Sequence, residues 1–251
     1  MLKVRIIPML TFNGFALVKT KKFANPRMVG NPVQSARVYN SRGVDELAFM
    51  DIFASNQHRK LNLKLIADVI KECYMPVAIG GGIETIDDIN SLLKIGADKV
   101  IIKTKALTDR GFIKKAVDFF GSQCISIAVD AYFTDHGYKI HNVLGLHINL
   151  ADFLDEMTKC QVGEFVVNST DNDGMMSGFD IDLMRTVEAS TNLPIIAVGG
   201  GGDLEHFKTL FSETNIEAVG ASSIFHFTQY TPLDIKLALA SINKPVRINY
   251  S

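Results

Sequence analysis

The chain has 251 residues and a formal net charge of −1, a length that fits one α/β barrel with a large core. Hydrophobic residues make up 47% of the sequence and charged residues 21%, as is ordinary for a globular protein. This balance argues against nucleic acid or an anionic membrane surface as the main partner.

Signals for targeting, disulfides and metal are weak throughout. Cys73, Cys124 and Cys160 are widely spaced and odd in number, which predicts reduced thiols in a cytoplasmic protein. No apolar run approaches the roughly 20 residues of a membrane-spanning helix. The N-terminus begins directly with a strand pattern, so we expect no signal peptide. The histidines show no HxH or HExxH spacing, and we expect neither a metal nor a cofactor.

Eight short apolar segments alternate with amphipathic stretches of helical period, for example 59–73 and 180–190. Such alternation predicts βα units around a parallel sheet. The predicted strands are 4–10, 46–51, 76–79, 99–102, 125–129, 165–168, 195–198 and 218–221. Eight units close most naturally as a (β/α)8 barrel, or TIM barrel, and an open doubly wound sheet is the alternative.

Three features of the first half recur in the second half at one constant offset. They are the end of strands one and five, a glycine run after strands three and seven, and a hydroxyl residue after strands four and eight. The positions are Thr11 and Asp130, Gly80 and Gly199, and Thr104 and Ser223. Such a repeat places equivalent loops on opposite sides of one rim. We predict a single domain over 1–251, with half-barrels at about 1–120 and 121–240.

Each glycine run follows a strand, where the backbone turns tightly and its N–H groups can face an anion. With the Thr104 and Ser223 hydroxyls as further donors, the two loops predict two phosphate sites facing each other across the rim. An elongated ligand with an anionic group at each end would fit, with chemistry at the ends of strands one and five. The alternative is that the glycines only relieve crowding in tight turns.

Several segments resemble signature segments of the HisF family, the cyclase subunit of imidazole glycerol phosphate synthase in histidine biosynthesis. They are RIIP at 5–8, DELAFMDI at 45–52, GGGI at 80–83, GADKV at 96–100, DNDG at 171–174 and SIFHF at 223–227. The match runs from about residue 3 to residue 228. The sister isomerase HisA shares the half-barrel repeat, but these segments are more similar to HisF.

The resemblance implies a partner and a reaction. A HisH-like glutaminase docks at the N-terminal face of the barrel, and ammonia passes through the barrel to a bis-phosphorylated ribulose compound at the opposite rim. Two aspartates at the ends of strands one and five act as general acid and base. A lysine in the mobile loop after strand one closes over the substrate.

Carried onto this chain, the resemblance assigns residues to both ends of the barrel. The ammonia gate corresponds to Arg5, Glu46, Lys99 and Glu164, and Asp98 matches a position that contacts the partner. A plug of buried salt bridges that only closes the barrel is the alternative. The phosphate-binding residues would be Gly81, Gly82, Lys103, Thr104, Asp173, Gly174, Gly199, Gly200, Ser222 and Ser223.

The predicted reaction centre is only partly present. Asp130 ends strand five, Lys19 takes the position of the loop lysine, and Asp51 can orient a neighbour. Thr11, however, occupies the position of the first aspartate. A threonine hydroxyl does not accept a proton near neutral pH as a carboxylate does, and losing one such group costs about 10²–10⁴ in rate. Thr11 is also simply a favourable residue for a strand.

Other positions of the rim also depart from the family pattern. Lys103 replaces an asparagine, the loop 142–147 is less basic and more apolar, and Met175 and Met176 replace a threonine and a lysine. Together these changes predict a pocket reshaped for another ligand or released from selection for the original one.

The residues predicted for the partner face and the conduit thus match the family pattern, whereas one of the two predicted acid/base residues is replaced. The run LTFNGFALVKT at 10–20 resembles a diverged HisF-like branch associated with bacterial surface polysaccharides, in which ammonia passes to an amidotransferase that makes an acetamidino sugar. We hypothesise that role, with a phosphate-bearing molecule at the rim. An authentic cyclase subunit and a non-catalytic subunit that activates the glutaminase are the alternatives.

Overall fold

The computed structural model describes residues 2–248, so residues 1 and 249–251 of the predicted domain lie outside it. In chain order the strands are β1 Arg5–Phe12, β2 Leu17–Lys21, β3 Ala24–Gly30, β4 Leu47–Asp51, β5 Val77–Gly80, β6 Lys99–Ile102, β7 Ile125–Thr134, β8 Gly137–Ile140, β9 Glu164–Ser169, β10 Ile195–Val198 and β11 Ala218–Ala221. Apart from β2, β3 and β8, these strands are parallel and form a closed barrel, because β11 pairs with β1. The predicted (β/α)8 barrel is confirmed, and the open sheet is excluded.

Helices follow the barrel strands and surround them. They are α1 Pro32–Ser41, α2 Leu63–Ile70, α3 Ile86–Lys94, α4 Thr104–Thr108, α5 Arg110–Phe120, α6 Leu150–Lys159, α7 Ile181–Ser190, α8 Leu204–Glu213, α9 Ser223–Phe227 and α10 Pro232–Ala240. Polar side chains begin most of them by accepting an otherwise unpaired N–H of the first turn. Thr85 and Asp88, for example, form a reciprocal capping box at α3. No helix within residues 2–248 combines the length and hydropathy needed to cross a bilayer.

All eight predicted barrel strands occur, but three strands were not predicted. Strands β2 and β3 form an antiparallel hairpin after β1, and β8 pairs antiparallel with β7. Most of β3 is exposed, so its sequence lacks the alternation of a half-buried strand. Helix α2 is shorter than the predicted 59–73 because the Asn62 side chain accepts the N–H of Leu65 and starts the helix there. The division into half-barrels remains a prediction.

Side chains of the barrel strands alternate between two apolar clusters. One lies between the strands and the helices and includes Ile6 and Leu10 of β1. The other lies inside the barrel and consists of Ile7, Met9, Ala48, Ala78, Ile101, Ala128, Val166, Ile196 and Ala218. Because successive residues of a strand point to opposite faces, the members of the inner cluster mark the residues that face the barrel axis.

A buried ion pair attaches the last helix to the N-terminal end of the barrel. The Nζ atom of Lys236 on α10 lies 2.9 Å from Oδ1 of Asp45 and 3.2 Å from the carbonyl oxygen of Gly43. The other carboxylate oxygen of Asp45 accepts the N–H of Ile6 at 2.9 Å. Only 1% of Lys236 is exposed, and this burial lowers its pKa even though Asp45 acts in the opposite direction.

We expect Lys236→Met to destabilise the fold by about 3–5 kcal/mol, because the substitution leaves the buried Asp45 carboxylate without its cation. Urea unfolding at neutral pH measures the change. Lys64→Met, at an exposed position of α2, is the matched control and should leave the unfolding midpoint nearly unchanged. Equal midpoints for the two variants would show that the pair contributes nothing.

Candidate functional site

Three neighbouring strands carry polar side chains at both ends of the barrel interior. Each presents an inward stack of three residues in which an apolar residue separates two polar ones. The stacks are Lys99, Ile101 and Lys103 on β6, Ser126, Ala128 and Asp130 on β7, and Glu164, Val166 and Asn168 on β9, where Lys103 directly follows its strand. Four residues of strand span about 13 Å, so the two polar layers lie at opposite ends of one interior.

The lower layer, at the start of the strands, is a closed ring of ion pairs. Arg5 contacts Glu46 and Glu164, each at 2.8 Å. Lys99 contacts the same two glutamates, Glu164 at 2.8 Å and Glu46 at 3.2 Å. The structure therefore brings together all four predicted gate residues, with the signs of charge alternating around the ring. Their role as a gate remains a prediction.

The ring favours the ionised form of Glu164 in a buried position. Burial acts to raise the pKa of Glu164, but the Arg5 and Lys99 cations outweigh it and leave the pKa below the ordinary 4.5. Burial also acts to lower the pKa of Arg5, and the two glutamates outweigh it and raise that pKa. Ser126 adds a hydrogen bond of 2.9 Å to Glu164 Oε1, a contact that the sequence did not indicate.

Asp98 lies exposed at the same end of the barrel, between β5 and β6. Its carboxylate accepts the N–H of Val77 at 2.8 Å, and its own N–H donates to the Val77 carbonyl at 2.9 Å. These bonds fix the spacing where the two strands begin. The contact with a partner protein that was predicted for Asp98 remains a prediction.

A cavity of about 340 Å³ opens at the opposite end, where the strands finish. All residues predicted for the rim line it. They are Thr11, Lys19, Asp51, Gly81, Gly82, Lys103, Thr104, Asp130, Asp173, Gly174, Gly199, Gly200, Ser222 and Ser223. The cavity also extends down into the barrel, to Met9, Ile101, Ala128 and Val166. Its floor thus belongs to the apolar layer above the ring of ion pairs.

Asp130 is engaged at both carboxylate oxygens. Its Oδ2 atom forms an ion pair with Lys103, and its Oδ1 atom accepts a hydrogen bond of 3.1 Å from the Asn168 amide. The ring of Phe23 lies over the same ammonium, with its centroid 5.7 Å from Nζ. The predicted general acid/base is therefore held in a neutralised pair.

Thr11 occupies the inward position at the end of β1, opposite Asp130. Its hydroxyl donates a hydrogen bond to the carbonyl oxygen of Val18 on β2. The hydroxyl thus joins the first barrel strand to the hairpin that follows. A group engaged in this way does not replace a carboxylate as a proton acceptor.

Lys19 lies on strand β2 in the segment that follows β1, the place predicted for the loop lysine, and its closure over a substrate remains a prediction. Antiparallel pairing orders the segment as the β2–β3 hairpin. Lys19 is buried and pairs with Asp173 at 2.7 Å, while the Thr20 hydroxyl donates to the same carboxylate at 3.2 Å. The N–H of Lys22 donates to the carbonyl of Asp173 at 2.9 Å. The hairpin is therefore fixed against the rim.

Comparisons with known proteins identify the family of the chain. The family model described as "Histidine biosynthesis protein" matches residues 5–231. The chain is 40% identical over 256 residues to the imidazole glycerol phosphate synthase subunit HisF of Staphylococcus saprophyticus subsp. saprophyticus, an alignment that covers 98% of the chain and 100% of the relative. The chain belongs to the HisF family. The resemblance in the sequence is thereby confirmed, while its surface-polysaccharide branch remains a prediction.

Asp51 of this HisF homologue organises the loop that follows β4. Its Oδ1 atom accepts a hydrogen bond of 2.7 Å from Arg59 and two more from the N–H groups of Phe53 and Ala54, at 3.2 Å and 3.1 Å. The neighbour that Asp51 orients is thus Arg59, which the sequence had placed only in a helical stretch. This contact explains why Arg59 lies outside helix α2.

Each glycine run allows its loop to approach the chain at the end of the neighbouring strand closely. A Cβ atom at Gly81, where φ is +111°, would lie 2.3 Å from the Asp51 carbonyl oxygen. At Gly200, where φ is +104°, it would lie 1.9 Å from the carbonyl oxygen of Gly178. Glycine is required at both positions by these contacts alone. Crowding therefore accounts for part of the pattern, and phosphate binding remains a prediction.

The predicted phosphate site after β10 and β11 contains both paired and unpaired donors among the described residues. His206 accepts the N–H groups of Gly202 and Asp203, at 3.3 Å and 3.2 Å, so these do not face an anion. The Ser223 hydroxyl, in contrast, is buried and has no partner within residues 2–248. Buried hydroxyls are nearly always paired, so Ser223 is the donor here that a bound group would satisfy.

The ring of this HisF homologue predicts how the free energy of unfolding changes as the pH is lowered. Because the pKa of Glu164 is lowered in the folded state, the stability it contributes is present above its ordinary pKa of 4.5 and is lost as pH falls through the folded value. Glu164→Gln should therefore cost about 3–5 kcal/mol at neutral pH and progressively less in acid.

Urea unfolding of wild type and variant between neutral pH and pH 3 measures this difference. Glu217→Gln, at an exposed position just before β11, is the control and should show no such trend. If the loss of unfolding free energy in Glu164→Gln stays constant across this pH range, the ion pairs of Glu164 do not stabilise the fold as proposed.

Proposed function

We propose that this HisF homologue is the ammonia-receiving subunit of a glutamine amidotransferase complex, with a HisH-like glutaminase docked at the N-terminal face of its barrel. The ring of Arg5, Glu46, Lys99 and Glu164 carries the proposal. Burying four charges has a desolvation cost, and such a cluster is often no more stabilising than apolar packing. A ring of charged side chains that closes the barrel axis is better explained as a gate through which a small polar molecule passes.

The interior above the ring supports a conduit. Its lining is apolar and includes the small side chains Ala48, Ala78, Ala128 and Ala218. Such a lining favours neutral ammonia over ammonium because transferring a charge into apolar surroundings is costly. The rim cavity reaches Ala128 and Val166, so one apolar layer separates it from the ring. Ammonia would thus emerge beside Asp130 and Lys103.

The comparison supports a complex as well. The staphylococcal relative is by name a subunit of a synthase, and it aligns with this chain over its full length. We extend that assembly to this protein and place its glutaminase at the end of the barrel that carries the ring. Asp98 lies exposed at this end and is our proposed contact.

For the nitrogen acceptor we propose a sugar of a surface-polysaccharide pathway, amidinated by an amidotransferase to which this subunit supplies ammonia. Cyclisation by the HisF reaction requires two free acid/base groups. Here the Thr11 hydroxyl donates a hydrogen bond to the carbonyl oxygen of Val18, and Asp130 forms an ion pair with Lys103. In this proposal the rim binds a phosphate-bearing molecule as a signal or docking point.

A second candidate is the authentic cyclase subunit of imidazole glycerol phosphate synthase. The 40% identity with the staphylococcal subunit favours it, as does the gathering of the whole predicted phosphate-binding set around one cavity. Asp130 would then have to act with Lys19 or Lys103 in place of the missing aspartate.

Lys99→Met tests the conduit. The variant removes the cation that both glutamates of the ring share, so we expect ammonia to escape before it reaches the rim. In a complex with the glutaminase and the sugar amidotransferase, amidino sugar formed per glutamine hydrolysed should fall severalfold. Product formation driven by ammonium chloride should stay at the wild-type rate, and Lys64→Met is the surface control. An unchanged yield per glutamine would contradict the conduit and leave this chain as an activator of the glutaminase.

An ammonium-driven cyclase assay separates the two candidate functions. With the bis-phosphorylated ribulose substrate, this chain should turn over about 10²–10⁴ times more slowly than the staphylococcal HisF subunit, because one acid/base group is absent. Thr11→Asp should recover no more than trace activity. Rapid turnover by the wild type that Asp130→Asn abolishes would establish the cyclase instead.

A further inference from the structure

The rim cavity is balanced in charge by its own side chains. Three aspartates line it within the described residues, and each has a cation: Asp51 pairs with Arg59, Asp130 with Lys103, and Asp173 with Lys19. An anionic ligand therefore meets lysines that are already engaged. It gains a lysine only by competing with an aspartate.

Lys103 is placed for such an exchange. It immediately precedes Thr104, the first residue of α4, and it lines the cavity together with Gly81 and Gly82. Its side chain is 26% exposed and that of Asp130 is 16% exposed, so both groups remain in reach of a ligand in the cavity. A lysine ammonium has three donors on a flexible four-carbon stem, which suits it to change partners.

We propose that Lys103 is an exchangeable phosphate ligand: a phosphate group bound at Gly81, Gly82 and Thr104 draws Lys103 away from Asp130 and so frees the Asp130 carboxylate. This inference rests on the proposed function in one respect, the phosphate-bearing molecule at the rim. It adds a consequence of binding, because the anion releases the Asp130 carboxylate from its pair with Lys103.

The residues around Lys103 and Asp130 allow the lysine to leave while Asp130 keeps its position. Asn168 donates to Asp130 Oδ1, not to the oxygen that Lys103 occupies, so the carboxylate keeps an anchor when the lysine leaves. Phe23 lies over the ammonium and offers it a face that does not depend on Asp130. The exchange replaces one charge-assisted hydrogen bond by another of similar strength.

Calorimetric titration with inorganic phosphate tests the exchange in the whole chain. We expect Lys103→Met to weaken phosphate binding by about tenfold, the scale of one lost charge-assisted hydrogen bond. Asp130→Asn should strengthen binding by about tenfold, because Lys103 is no longer held by a competitor. Lys105→Met is the matched control: it removes the same charge two residues away, from a side chain that pairs with Asp109 and does not line the cavity.

The double variant Lys103→Met/Asp130→Asn separates exchange from simple repulsion between Asp130 and the anion. Under exchange, Asp130→Asn strengthens binding far less when Lys103 is absent. The proposal would be overturned if Asp130→Asn strengthened phosphate binding equally in the wild type and in Lys103→Met. An unchanged phosphate affinity in Asp130→Asn alone would also overturn it. Lys103→Gln, which keeps a polar side chain, should reproduce Lys103→Met.

Failure of this proposal is distinct from failure of the proposed function. If neither the wild type nor any variant binds phosphate at millimolar concentration, the exchange is wrong, while the nitrogen yield per glutamine still decides the conduit. If the conduit fails but the double variant behaves as expected, the exchange stands.

Discussion

Pairing of β11 with β1 is the constraint on which the rest of the structure depends. Closure of the sheet gives every barrel strand one face toward a common axis, so each residue two positions along a strand adds to the same interior. The charges at strand starts then meet in one ring, and the polar groups at strand ends meet in one cavity. Lys99 and Lys103 belong to different sites because Lys99 begins β6 and Lys103, four positions later, directly follows it.

The two ends use buried charge differently. In the ring, each cation touches two carboxylates and each carboxylate touches two cations, so no member has a partner of its own. At the rim, the charges form separate pairs, and two of these pairs, Lys103–Asp130 and Lys19–Asp173, join different segments of the chain. Shared contacts hold a closed shape, whereas separate pairs can be exchanged one at a time. This difference fits a closure at one end and a ligand site at the other.

Strand positions could be predicted from the sequence because eight short apolar segments alternate with amphipathic stretches of helical period, as βα units require. The resemblance to HisF assigned Asp130, Lys103 and the four ring residues to the two ends of the barrel, and the structure places them there. The resemblance did not give the partners: Asn168 for Asp130, Arg59 for Asp51 and Ser126 for Glu164 all come from elements other than that of the residue they serve. Periodicity along one segment carries no information about register between segments, and an exposed strand such as β3 has no alternation of buried and exposed residues to detect.

The contact of Lys236 with Asp45 has a consequence for biosynthesis. These residues are 191 positions apart, and Asp45 in turn holds the backbone of Ile6 in the first strand. During translation the first strand and its carboxylate leave the ribosome long before the helix that neutralises them, so the nascent chain carries two unpaired sheet edges and a charge without its counter-ion until the final segment emerges. Contacts this distant in sequence form slowly, and unpaired strand edges can meanwhile pair with other chains.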